Sequence, residues 1–136
     1  MKQYQKEFAQ NLLKYEGCLY ELGKSSRHKS DCSGSVCGAL CMTYGIALRV
    51  TADSLYTSYF TESYKNGSCS IHAAFFLDKE GKAIHVAGWL YRNLYLNVSS
   101  YEKDKRGHIR NLEELRRLYP HLKIVLRELN EENLWK

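Results

Sequence analysis

Five cysteines and five histidines carry most of the reactive chemistry open to this 136-residue chain, and position separates one cysteine from the rest. Asp31-Cys32-Ser33-Gly34 opens a run, Ser33 to Ile46, rich in small and apolar residues, with Val36, Cys37, Leu40, Cys41 and Tyr44 at spacings of three and four. That spacing predicts a buried helix, with Asp31 as its N-cap and Gly45 where it stops. The Cys32 sulfur then lies in the first turn, where unpaired N–H groups and the helix dipole favour an anion and lower a thiol pKa from about 8.5. A thiolate there is a nucleophile, and the same N–H groups can stabilise an oxyanion formed on the carbonyl it attacks. The other reading is that Cys32 is one more small buried residue, as Cys37 and Cys41 are expected to be on the inner face of the same helix. Placement alone leaves both open.

A thiol nucleophile needs a base, and the base needs a group that fixes its tautomer. His28 falls in a polar, flexible stretch, Gly23 to Ser30, and His108 and His121 have charged neighbours. His72 borders an expected strand. His85 stands inside the apolar run Ile84 to Leu90, where a core histidine and a functional one are both open. Asn97 follows twelve positions later, in Leu94 to Val98, an odd place for asparagine in a strand. If the two runs form a hairpin centred on Tyr91, His85 and Asn97 oppose each other directly on one face, with Cβ atoms about 5 Å apart. Asn97 then holds the imidazole.

The elements that must position these residues follow from periodicity. Phe8, Leu12 and Tyr15 predict an amphipathic N-terminal helix from Gln5 to Tyr15, ending near Gly17. A short helix is expected over Asp53 to Tyr59. Ala73–Leu77, Ala83–Tyr91 and Leu94–Val98 are aromatic or β-branched runs that predict consecutive antiparallel strands. An amphipathic helix from Asn111 to Tyr119 is closed by Pro120, and Lys123 to Leu129 adds a last strand. Helices followed by a meander make the fold class α+β.

With 44% apolar residues, one proline and no repeat or linker, the expectation is a single domain over 1–136 and a monomer. Five cysteines, an odd number, argue against a disulfide framework, and their spacings fit no zinc knuckle, so no metal or cofactor is expected. The net charge of +5 comes from scattered cations, with modest clusters at Lys103, Lys105 and Arg106 and at Arg116 and Arg117, which reads as solvated surface and not as a nucleic-acid footprint. No apolar run reaches the roughly 18 residues of a membrane span. Met1 to Gln10 lacks the build of a secretory signal, so the expected setting is cytoplasmic, phage-associated, or a domain excised from an exported protein.

Asp31-Cys32-Ser33-Gly34 opening a helix, His85-Val86 on a strand and Asn97 on the next together resemble the NlpC family of papain-like cell-wall peptidases. Gly17-Cys18-Leu19-Tyr20 stands in the place of the family's Gly-x-Pro-Tyr segment, and Ala47 to Asp53 resembles its connection after the helix. The resemblance covers roughly Tyr15 to Ser100. It implies a circularly permuted papain-like fold, with the nucleophile-bearing helix packed on an antiparallel sheet. It also implies Cys32 as nucleophile, His85 as base and Asn97 in the third place. Tyr20 matches a tyrosine that reaches the sulfur, and Asp31 and Ser33 match positions that help hold the amino end of the substrate. The implied reaction is hydrolysis of the γ-D-glutamyl to diamino acid bond in peptidoglycan stem peptides. An amidase, acyltransferase or transglutaminase with the same triad, or a non-catalytic binding module, are the competing readings. Two places depart from the family pattern: Glu21-Leu22-Gly23-Lys24 replaces a common Trp-Gly-Gly run, and Ala87 replaces the glycine after His-Val.

Overall fold

In a computed structural model, which describes residues 3–135, two helices pack on one face of a six-stranded antiparallel sheet. The first, α1 (Gln3–Leu13), buries Gln5, Phe8, Ala9 and Leu12, a single helical stripe. After it, β1 (Leu19–Tyr20) and β2 (Lys29–Ser30) form a short parallel pair. The central helix α2 (Cys32–Tyr44) has the expected ends: the Asp31 carboxylate accepts from the Gly34 N–H, and Gly45 takes a left-handed conformation with φ of 68°. It is buried almost all round, which its small residues permit.

A short helix α3 (Ala52–Ser54) runs into a π-helical turn, Leu55–Tyr59. The sheet strands are β3 (Glu62–Ser63), β4 (His72–Leu77), β5 (Ala83–Tyr91), β6 (Leu94–Val98), β7 (Gly107–Asn111) and β8 (Lys123–Glu128), in the order β3-β8-β4-β5-β6-β7. Between β7 and β8 lies α4 (Leu112–Leu118), with Asn111 and Glu114 closing a capping box. A 3-10 turn, Glu131–Trp135, follows β8.

Every residue of β4 is buried, because both faces of the sheet are covered. Ala73, Phe75 and Leu77 join the α1–α2 core, whereas Ala74 and Phe76 pack with Ala87, Tyr95, Leu115 and Tyr119 on the α4 side. The helices approach β5 closely at Gly88, where a Cβ would fall 2.6 Å from Leu12 Cδ2. The α+β expectation holds, and β3, β7 and the β1–β2 pair are additions, each strand only two to five residues long and too short to show a period. Among the described residues no helix is long and apolar enough to cross a membrane.

One expectation fails in detail. The β5–β6 register runs Gly88↔Leu96 and Trp89↔Tyr95, then shifts to Tyr91↔Leu94, so the turn falls on Arg92 and Asn93, with Arg92 at φ 53°. The irregularity moves Asn97 level with Ala87 and makes His85 its diagonal neighbour, not its direct partner. Diagonal residues two apart still share a face, and both side chains are long enough to meet.

Candidate active site

Cys32 begins α2, half-buried, at the seam of two cavities. The larger, about 800 Å³, is lined by Tyr20, Asp31, Ser33, Arg49, Asp53 and Lys82 among others. The smaller, about 190 Å³, is lined by His85, Ser99, Tyr101 and Tyr119. Tyr20, Cys32 and Ile84 border both. Cys32 thus stands where the two cavities meet. The N–H groups of Cys32 and Ser33 sit in the first turn of α2, where no intrahelical acceptor exists.

His85 lies on β5 with its ring in the layer between the sheet and the end of α4. It stacks on Tyr119, centroids 4.7 Å apart and planes at 26°, and meets Phe76 at 4.9 Å. Its Nε2 is 2.6 Å from Asn97 Oδ1 and 3.0 Å from the Tyr119 hydroxyl. Tyr119 in turn donates to Ser99 through a short hydrogen bond. The Nδ1 atom has no hydrogen-bond partner among the described residues.

The orientation of the Asn97 amide is fixed from behind. Asn97 Nδ2 donates to Glu102 Oε2 at 2.9 Å, and Glu102 is gripped by Arg110, with Nε to Oε2 at 3.0 Å and Nη2 to Oε1 at 2.6 Å. An ionised carboxylate only accepts, so the asparagine must turn its NH₂ to Glu102 and its oxygen to His85. A carbonyl oxygen also only accepts, so His85 Nε2 carries the hydrogen. In the neutral ring the lone pair then belongs to Nδ1, the nitrogen still without a partner.

Burial sets the protonation of the pair. It pushes the Cys32 thiol up to about 11, with the Asp31 charge adding to the rise, against backbone N–H groups of Val86, Ser33 and Cys32 that favour the thiolate. It pulls His85 down to about 4, against the Asn97 hydrogen bond and the Glu102 charge. Both shifts favour a neutral thiol and a neutral imidazole near pH 7. The sequence reading expects a thiolate at this helix N-terminus, and burial acts in the opposite direction. Burial alone would also raise Glu102, but its bonds to Arg110 and Asn97 outweigh that and hold it below the usual carboxylate range.

Asp31 is fully engaged. Besides capping α2 at Gly34 (2.7 Å), its carboxylate accepts from Gly23 N–H (2.8 Å) and twice from Arg49 Nη2 (2.9 Å). Arg49 Nη1 also donates to Ser33 Oγ at 3.0 Å. Tyr20 lines both cavities, and burial raises its hydroxyl pKa, with the neighbouring Cys32 and Asp31 adding to it. The structure thus sets Tyr20, Asp31, Cys32, Ser33 and His85 around two adjoining cavities, with Asn97 buried behind His85. Of the other histidines, His72 is held apart, bonded to the Tyr95 hydroxyl and stacked on Trp89. Arg49, Glu102, Arg110 and Tyr119 belong to the site and were missed. In the sequence Arg49, Arg110 and Glu102, the last beside Lys103 and Asp104, look like ordinary surface charges and gave no signal.

No family model and no curated protein matches the sequence. Solved structures do match by shape. An NLP/P60-family lipoprotein-like protein of Staphylococcus aureus superposes with a TM-score of 0.70 at 24% identity, covering 95% of this chain and 42% of that one. An NlpC protein of Trichomonas vaginalis gives 0.68 at 20%, covering 91% and 43%. The NlpC/p60 domain of the peptidoglycan hydrolase SagA gives 0.63 at 16%, covering 88% and 95%. The chain spans less than half the length of the first two and nearly all of the third. With α2 laid ahead of, and packed on, an antiparallel sheet that carries His85 and Asn97, the chain has the papain-like fold of the NlpC/P60 proteins.

Proposed function

We propose that this protein is a cysteine hydrolase that cleaves peptidoglycan stem peptides at the γ-D-glutamyl to diamino acid bond. The observation that carries the reading is that Cys32 and His85 line one cavity while Asn97 Oδ1 takes Nε2 of the imidazole, leaving Nδ1 as the ring nitrogen without a hydrogen-bond partner among the described residues. As the Cys32 sulfur attacks the scissile carbonyl, its proton passes to His85 Nδ1, and the sulfur–carbon bond forms as the carbonyl becomes an oxyanion. The first-turn N–H groups of Cys32 and Ser33, which have no intrahelical acceptor, are the donors available to that charge. The oxyanion collapses, the carbon–nitrogen bond breaks, and the imidazolium returns its proton to the leaving amine. Water then attacks the thioester with His85 again as base, releasing the acid and the thiol.

Tyr20, Asp31 and Ser33 hold the amino end of the peptide in the larger cavity, with Arg49 sharing the carboxylate of Asp31. A substrate ammonium there meets a charge that Arg49 already offsets, so Arg49 tempers binding at this end.

Mass spectrometry of purified stem peptides incubated with the protein tests the proposal. One cleaved bond with water added is expected, and loss of turnover in both Cys32→Ala and His85→Ala. Asn97→Ala keeps measurable activity, since an orienting group contributes less than the base. Full cleavage by Cys32→Ala overturns the reading. Products carrying an added amine in place of water move the assignment to a transferase.

A further inference from the structure

The geometry points to Glu102 as a positioning residue of this site: held by Arg110, it sets the Asn97 amide and through it the tautomer of His85. This inference rests on the reading of His85 as the base for Cys32. Glu102 is 3% exposed and Asn97 fully buried, so neither can turn to water for an alternative partner. The chain of bonds has one sense only. Arg110 donates to both carboxylate oxygens, Glu102 accepts from Asn97 Nδ2, Asn97 Oδ1 accepts from His85 Nε2, and the lone pair is left on Nδ1. Guanidinium has five donors and no acceptor, so the sense is anchored at the Arg110 end. Without a carboxylate at the second place the sense is no longer imposed.

Glu102→Gln shows why the charge matters as well as the shape. Arg110 must still be met by acceptors, and it claims the single oxygen of the new amide. The NH₂ of Gln then faces Asn97, which turns its oxygen toward it and presents its own NH₂ to His85 Nε2. That nitrogen must now accept, and the hydrogen moves to Nδ1, where it blocks uptake of the thiol proton. A base held in the wrong tautomer lowers kcat by about 10⁴ in a Ser-His-Asp triad, so a fall of about a hundredfold or more is expected here, with KM little changed. Replacing Arg110 as well, in Glu102→Gln/Arg110→Met, frees the amide oxygen to accept from Asn97 and restores part of the rate.

The test is the imidazole tautomer of His85, followed by long-range proton–nitrogen NMR at pH 7 in the wild type, Glu102→Gln and the double variant, beside kcat and KM on a stem peptide. The expected result is hydrogen on Nε2 in the wild type, on Nδ1 in Glu102→Gln, and on Nε2 again in the double variant. Hydrogen on Nδ1 in the wild type overturns the proposal, even if neither variant folds. An unchanged tautomer in Glu102→Gln also overturns it, as does a double variant slower than the single one, which is what a role in folding alone predicts. If the tautomers follow this pattern but the wild type cleaves no peptide, the proposal stands and the hydrolase reading falls.

Discussion

The resting charge of Cys32 is open to direct measurement. Burial places its thiol at about 11 against an ordinary value of 9.0, and His85 at about 4, so the resting pair is neutral between those limits. A two-unit rise corresponds to roughly 2.7 kcal/mol disfavouring the thiolate, and at pH 6 leaves a thiolate fraction of about 10⁻⁵. The perturbation is pH, stepped from 6 to 9, in the wild type and in His85→Ala. The assay is limiting iodoacetamide at each pH, quenching, and peptide mapping, with the exposed Cys69 as reference within the same molecule. Cys32 should label behind Cys69 at pH 6, its rate should climb about tenfold per pH unit, and the His85→Ala variant should keep that slope. A flat, fast rate for Cys32 from pH 6 to 8 that disappears in His85→Ala would refute the reasoning. It would mean that the α2 N-terminus and an imidazolium outweigh desolvation and that a resting ion pair exists.

Acidification should also weaken the fold. His85 and His72 are both buried and held near 4 in the folded state, against 6.5 as the ordinary value, so the unfolded chain binds more protons between those limits. Their contribution is intact above pH 6.5 and declines as pH falls toward 4, by about 2 kcal/mol per histidine at pH 5. Urea unfolding at pH 7.5 and 5 should show this loss, with His72→Gln removing about half; identical midpoints would contradict it. Gly88→Ala places a Cβ 2.6 Å from Leu12 Cδ2 and 3.4 Å from Val36 Cγ2, so the Leu12 side chain or α1 itself must give way. A loss of about 1–3 kcal/mol is expected as a lower Tm, and an unchanged Tm would contradict the close packing.

Sequence alone located the candidate groups and the elements that carry them. Local chemistry fixes a helix start, so Asp31, the α2 run and Gly45 placed Cys32 in a first turn without any knowledge of the rest of the chain. Strand periodicity put His85 and Asn97 on one face, and it survived a register irregularity because a diagonal neighbour keeps the same face. What supports and tunes those groups came only from the tertiary structure. Glu102 sits in the sequence among Lys103, Asp104, Lys105 and Arg106, where a charge looks solvated, and Arg110 looks like one more surface cation. Folding back of β7 beside β6 brings Arg110 and Glu102 together and sinks the carboxylate behind Asn97. Tyr119, at the end of α4, reaches His85 across thirty-four positions. Protonation was the least legible feature of all. A helix N-terminus is written in a few adjacent residues, whereas desolvation is the sum of every atom packed around a group, and at Cys32 the two pull in opposite directions.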